Sequence, residues 1–221
     1  VVILGFALSA AGIFCSANHE KQWGALGMML LLVGAITAAA GILDLANYGV
    51  IGFLNVTVLF LVASVLAKSG VLAALAALAI FPVTWPLVSD EEHIPTVTII
   101  LFAALSLGAY HWSKALASDY KRLAIIFSRT SLLVVNVGFW IGPFFADSYR
   151  DSLVFVIPWG VALVGTGVWA AKNDKRWVVN LSAALGIITI FTQLDESPLS
   201  ILIAGLTSLG IAFAIARHNK K

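Results

Sequence analysis

Charged residues are scarce in this chain: 11% of its 221 residues are Asp, Glu, Lys or Arg, and 61% are hydrophobic. Soluble domains average about 25% charged residues, and the mean hydropathy here is +1.00. Because a soluble fold could not bury so much apolar surface, the composition excludes an ordinary soluble domain. The net charge of +2 gives no indication of nucleic-acid binding.

Cysteine is also nearly missing. Cys15 is the only one, so the chain has no disulfide framework and no pair of thiols. Long polar connectors and Gly/Ser-rich linkers are absent as well, which leaves no boundary for a second domain. We therefore predict a single transmembrane domain over residues 1–221.

Apolar stretches fill the chain instead. A helix needs about 20 apolar residues to cross a bilayer core, with roughly 17 tolerated, and an unpaired backbone group in hydrocarbon is too costly for an open structure. We predict an all-α transmembrane bundle of about nine spans, at residues 1–17, 23–43, 49–67, 70–88, 96–113, 123–145, 153–171, 177–194 and 198–216.

Basic and acidic residues alternate between the connectors. One set of connectors holds 11 of the 13 Lys and Arg residues, and the opposite set holds only Arg150 together with eight of the 11 acids. Basic connectors stay in the cytoplasm, which predicts an outer N-terminus and a cytoplasmic C-terminus. Val1 is not a methionine, and one further helix ahead of it would place the N-terminus inside.

The remaining basic residue, Arg129, lies inside the sixth stretch. A charge at this depth costs at least about 2.5 kcal/mol unless it is paired or reaches the headgroups. Asn136 follows seven residues later on the same face, beyond Leu133. Two hypotheses stay open: Arg129 extends to the cytoplasmic headgroups, or it faces a polar cavity with Asn136 and binds a polar or anionic solute.

Other polar residues recur at helical spacing and are the further candidates for solute binding. A polar stripe is either a set of interhelical hydrogen bonds or the wall of a solute path, and both interpretations stay open. The third stretch aligns Asn55 with Tyr48 and Gly52. The eighth stretch aligns Ser182, Gly186, Thr189 and Gln193, and the ninth aligns Ser200, Ala204, Thr207 and Ser208.

Small residues and prolines predict local structure. Ser131, Val135, Gly138 and Gly142 form one face of the sixth stretch, where neighbouring helices can approach closely. Pro143 predicts a kink or the end of that helix, and Pro82 and Pro86 predict a break near the outer end of the fourth.

Motifs of enzymes and cofactor sites are missing. His19 and Glu20 begin an H-E-x-x-H motif, but Trp23 stands where the second histidine is required. No G-x-S-x-G turn occurs, and a lone His111 is insufficient for a bis-histidine haem. We expect no catalytic residues, no metal site and no cofactor.

Two segments carry a resemblance. The segment YKRLAIIFSRTS at 120–131, continuing through VNVGFWIG at 135–142, resembles a stretch of multi-pass bacterial inner-membrane proteins of unknown function, and RWVVNL at 176–181 is similar to the start of their closing helices. The likeness covers about a third of the chain. It implies a bacterial inner membrane and assigns no site residues.

These observations lead to one expectation and two alternatives. We expect a protein of the inner membrane that moves or admits a small polar or anionic solute or an ion, with the lipid bilayer as its surroundings. The alternatives are a structural or assembly subunit of a larger membrane complex or homo-oligomer, and a membrane enzyme that acts on a lipid.

The alternation of charge makes a topological prediction. Single cysteines placed at Ser89 and Asn173 in a Cys15→Ser background should react with an impermeant reagent from opposite sides of sealed vesicles, with Ser89 on the periplasmic side. Labelling of both from the same side would overturn the count of nine spans.

Overall fold

A computed structural model describes residues 1–17, 21–88, 90–146, 149–174 and 176–192, together with Thr207. Its described residues form helices and connectors and contain no strand. The eight α-helices are α1 (Val2–Ala17), α2 (Lys21–Leu45), α3 (Val50–Leu66), α4 (Gly70–Ile80), α5 (Ile94–Ser113), α6 (Ser118–Ile141), α7 (Tyr149–Lys172) and α8 (Arg176–Thr192).

These helices follow the first eight predicted stretches, which confirms the all-α class. The ninth stretch, 198–216, lies outside the described residues apart from Thr207. Four segments are long and apolar enough to cross a membrane, namely Gly24–Leu45, Glu91–Ser113, Ser118–Phe145 and Ser152–Lys172. The apolar helices at Val2–Cys15, Val50–Leu66, Gly70–Thr84 and Val178–Thr189 are shorter. The count of nine spans and their orientation stay predictions.

Prolines end two helices where the sequence predicts it. The α-helical part of α4 stops at Ile80, and a 3-10 helix at Phe81–Thr84 follows with Pro82 in its first turn. Likewise α6 stops at Ile141, before a 3-10 helix at Gly142–Phe145 that contains Pro143. In both places the missing amide hydrogen of proline prevents the α-helical pattern from continuing.

The chain divides into two compact units, Val1–Gly138 and Phe139–Lys221. The boundary falls within α6, so this helix contributes residues to both. The core of the first unit combines small and large apolar residues from α2, α3 and α4, among them Leu31, Ala35, Val56, Phe60, Leu72 and Ala76. The single domain over residues 1–221 remains a prediction.

Glycine brings α1 and α2 into backbone contact. A Cβ atom added to Gly34 of α2 would lie 2.7 Å from the carbonyl oxygen of Gly5 and 2.7 Å from the Oγ of Ser9, both on α1. Real Cβ atoms do not approach so closely, so any side chain at Gly34 would force the helices apart. This close approach gives the pair the van der Waals contact that holds apolar helices together.

Large apolar side chains cover much of the outer surface. On α7, one stripe consists of residues that are each more than half exposed, namely Val154, Ile157, Val161, Val164 and Val168. Soluble monomers rarely expose continuous apolar patches of this kind. Together with the four long apolar helices, this surface is consistent with a membrane protein.

The contact at Gly34 predicts opposite effects for one substitution on a single helix. Gly34→Ala should lower the melting temperature in detergent, at a cost on the order of 1–3 kcal/mol for overpacking. Gly24→Ala should leave it unchanged or raise it, because nothing lies within 4 Å of the added Cβ and alanine favours helix by up to about 1 kcal/mol. Equal melting of the two variants would contradict the close α1–α2 approach.

Candidate functional site: polar residues on the helices

The small-residue face of α6 is buried. Ser131, Val135, Gly138 and Gly142 all lie in the interior, which confirms the packing role predicted for this face. A Cβ added to Gly138 would lie 2.8 Å from the Cγ1 of Ile99 and 3.5 Å from the carbonyl oxygen of Pro95. The first turns of α5 therefore pack against this glycine.

Hydroxyl groups join α5 to its neighbours. The Oγ of Ser106 donates to the carbonyl oxygen of Ser128 at 2.9 Å, and the Oγ of Ser128 donates to the carbonyl oxygen of Ser106 at 2.8 Å. At the other end of α5, the hydroxyl of Thr98 donates to that of Thr84 at 3.2 Å. These buried hydroxyls satisfy one another across helix interfaces, so they act in packing.

Arg129 lies on the opposite, exposed side of α6. Leu133 on the same side is 42% exposed, and Asn136 is partly buried, with its amide nitrogen donating to the carbonyl oxygen of Leu132 at 2.7 Å. Arg129 and Asn136 therefore share a face, as predicted, and that face is separate from the buried small-residue face. Their role in solute binding stays a prediction.

The same side of α6 includes a third polar residue. Arg122, Arg129 and Asn136 are spaced by seven residues each, which keeps them near one stripe with a drift of about 20° per step. They follow one another at intervals of about 10 Å along the helix axis. We call these three residues the α6 polar stripe. The regular spacing, visible in the sequence, was the signal that could have added Arg122 to the candidates.

Asn55 lies on the exposed side of α3. It borders an open depression of about 370 Å³ whose other lining residues are apolar and come from α1, α2 and α3, namely Phe6, Ile42, Val58, Leu59 and Val62. Gly52 packs against Ala46, whereas Tyr48 lies in the preceding turn. Of the three residues in the predicted third-helix stripe, Asn55 is therefore the exposed polar residue that lies on α3.

The candidates of the eighth stretch lie on α8 in the second unit. Ser182 is half-buried and faces Gly167 of α7, since a Cβ added to that glycine would lie 3.8 Å from its Cβ. Thr189 is buried, and its hydroxyl donates to the carbonyl oxygen of Leu185 at 2.7 Å. Gln193 lies outside the described residues.

An ion pair joins the α3–α4 connector to the first turn of α6. The Nζ of Lys68, between α3 and α4, lies 2.6 Å from the Oδ2 of Asp119 in the first turn of α6. Hydrogen bonding to Asp119, reinforced by its charge, raises the pKa of Lys68 above the usual 10.5, because the pair favours the ammonium form. Sequence spacing gave no signal for this pair, because 51 residues separate its members.

Metal-ligating side chains do not gather in the described part of the chain: no three His, Cys, Asp or Glu residues come together there. No family model, no curated protein and no solved structure matches the chain.

The two faces of α6 predict a contrast in stability. Gly138→Leu should reduce thermal stability in detergent, because the branched side chain would meet Ile99 and the backbone of Pro95. Leu133→Ala should have a smaller effect, because Leu133 is 42% exposed. Similar melting temperatures for the two variants would mean that Gly138 does not contact α5.

Proposed function

We propose that this chain is a multi-pass protein of the bacterial inner membrane, with about nine spans and its basic connectors in the cytoplasm, that moves or admits a small polar or anionic solute. The four long apolar helices and the exposed apolar stripe of α7 support the membrane location. The distribution of charge supports the orientation.

Two basic connectors of the first unit lie together. The Lys68–Asp119 ion pair joins the α3–α4 connector to the start of α6. This is the arrangement expected if α4 and α5 both cross the membrane between them. The exposed acids Asp90, Glu91 and Glu92 lie in the α4–α5 connector, at the other ends of those two helices. Basic residues retained in the cytoplasm would then orient the unit.

The solute role depends on one observation, the α6 polar stripe. Arg129 lies 11 residues after the start of α6, within the apolar segment Ser118–Phe145. An ionisable residue inside a span is costly and is by default a functional candidate. Arg122 at the basic end and Asn136 deeper in the helix extend the stripe, so an anion or a polar solute could be passed from one to the next. The guanidinium group suits carboxylate and phosphate groups because it offers paired donors in one plane.

A structural or assembly subunit is the second candidate. The hydroxyl pairs Ser106–Ser128 and Thr84–Thr98 favour this candidate, because these buried polar groups already make hydrogen bonds between packed helices. Asn55 favours it as well, since it presents an amide on an otherwise apolar outer depression. A helix from a complex partner or from a second copy could cover that surface.

Substitutions at Arg129 separate the two candidates. If Arg129 binds solute, Arg129→Gln should preserve the fold and abolish flux in liposomes, measured for chloride, phosphate, acetate and glycerol. Arg129→Lys should also be impaired, because an ammonium group cannot reproduce the planar donors. If the side chain only reaches the headgroups, both variants should be nearly silent.

Lys172→Gln provides the matched control, because it removes an exposed cation at the end of α7. It should leave flux unchanged, and gel filtration should show a folded protein for every variant. Indistinguishable flux from wild type, Arg129→Gln and Arg129→Lys would reject the solute site and favour the structural subunit.

A further inference from the structure

Four exposed cations gather at one end of the first unit. Lys68 belongs to the α3–α4 connector, while Lys114, Lys121 and Arg122 lie at the end of α5 and the start of α6. The Lys68–Asp119 ion pair brings the α3–α4 connector to the start of α6. Asp119 is the one carboxylate among residues 66–70 and 110–123. We call these five residues the basic patch.

The backbone at Lys68 is unfavourable for lysine. Its φ angle of 49° lies in the left-handed region, and the amide of Ser69 closes the end of α3 by donating to the carbonyl oxygen of Ser64 at 3.0 Å. Glycine is the usual residue at such a helix end, because a side chain is strained there. Lysine at this position is therefore less favourable than glycine, as are the other positive-φ residues Asn47, Tyr48 and Asp174. The side chain of Lys68 makes a tertiary contact from this position, the ion pair with Asp119.

Lys121 and Arg122 continue the patch along the start of α6. They are the fourth and fifth residues of that helix, just past its unpaired amides, since the amide of Lys121 donates to the carbonyl oxygen of Ala117 at 2.8 Å. Asp119 in the first turn is favourably placed beside the unpaired amides of the helix start. The helix dipole does not favour the two cations, because its favourable end for a positive charge is the C-terminus.

Three exposed aromatic side chains lie close to the patch in sequence. Tyr110, Trp112 and Tyr120 are 54%, 71% and 40% exposed, and the Nζ of Lys114 lies 5.1 Å from the centroid of the Tyr110 ring. Exposed Tyr and Trp rings beside basic residues are typical of the level where lipid headgroups meet the hydrocarbon. The patch therefore has both the charge and the aromatic border of a headgroup contact.

We propose that the basic patch binds the headgroup of an anionic phospholipid, with Lys68, Lys114, Lys121 and Arg122 as the contacts and Asp119 as a built-in competitor. The ion pair holds Lys68 in place and offsets part of its charge. A lipid phosphate therefore competes with the carboxylate of Asp119 for Lys68. The inference rests on the membrane insertion proposed above and does not require solute movement.

Lipid titration tests the proposal. Purified protein in neutral detergent is titrated with dioctanoyl phosphatidylglycerol and, separately, with dioctanoyl phosphatidylcholine, and binding is followed by native mass spectrometry. Phosphatidylglycerol should bind more tightly, and added salt should weaken its binding. Lys121→Gln should weaken it by roughly fivefold, as expected for one cation at an anionic surface, whereas Lys121→Arg should retain it.

Two further variants give effects of opposite sign. Lys68→Gly should weaken phosphatidylglycerol binding while the melting temperature stays the same or rises, because the strained backbone is relieved. Asp119→Asn should strengthen binding, because it removes the competing carboxylate. Asp44→Asn removes an exposed carboxylate from the end of α2 and should have little effect.

Several results would overturn the proposal. These are equal affinity for the two lipids, equal effects of Asp119→Asn and Asp44→Asn, or inorganic phosphate binding as tightly as phosphatidylglycerol. Reconstitution into bilayers of phosphatidylcholine alone distinguishes a failure of the lipid site from a failure of the proposed membrane location. Failure to insert there would reject the membrane assignment, whereas insertion without lipid selectivity would reject only the lipid site.

Discussion

A helix that is apolar on every side gains little hydrophobic energy by leaving lipid for a neighbouring helix, so contacts at short range must hold such helices together. In the first unit these contacts depend on small residues. Gly34 lets α2 approach the backbone of α1, and Gly138 lets the first turns of α5 pack against α6. The hydroxyl pair Ser106–Ser128 then adds polar contacts between α5 and α6. Each of these approaches fixes which face of the two helices is covered.

The polar residues of α6 show how this packing separates structural from candidate functional groups. Ser128 and Ser131 are buried on the side that meets α5, whereas Arg122 and Arg129 are exposed on another side of the same helix. Ser131 is three positions after Ser128, whereas Arg129 is the next residue after Ser128. A helix turns about 100° per residue, so neighbours in sequence can have unrelated surroundings.

Charge gathers at one end of the first unit, where the Lys68–Asp119 pair joins the α3–α4 connector to the start of α6. Lys68 adopts a backbone conformation that favours glycine, and Lys121 and Arg122 follow Asp119 within two to three positions. A residue that departs from a local preference can be retained for binding. Its combination with the gathered charge is the reason for proposing a ligand at the basic patch.

The sequence by itself determined the helical class, the positions of eight helices and the ends of α4 and α6. Each of these depends on local chemistry: apolar composition, short connectors and the missing amide hydrogen of Pro82 and Pro143. The sequence also placed Arg129 and Asn136 on a common face, because a helical period is sufficient for that. Only the tertiary structure decided which face is covered. Gly24 and Gly34 are both glycines of α2, yet only Gly34 contacts another helix. Lys68 and Asp119 are 51 residues apart, and no local pattern could pair them. The physical reason is the same in both cases. In helices that are apolar all round, hydrophobic periodicity does not mark the buried side, so the choice of neighbour depends on how the packed side chains fit together.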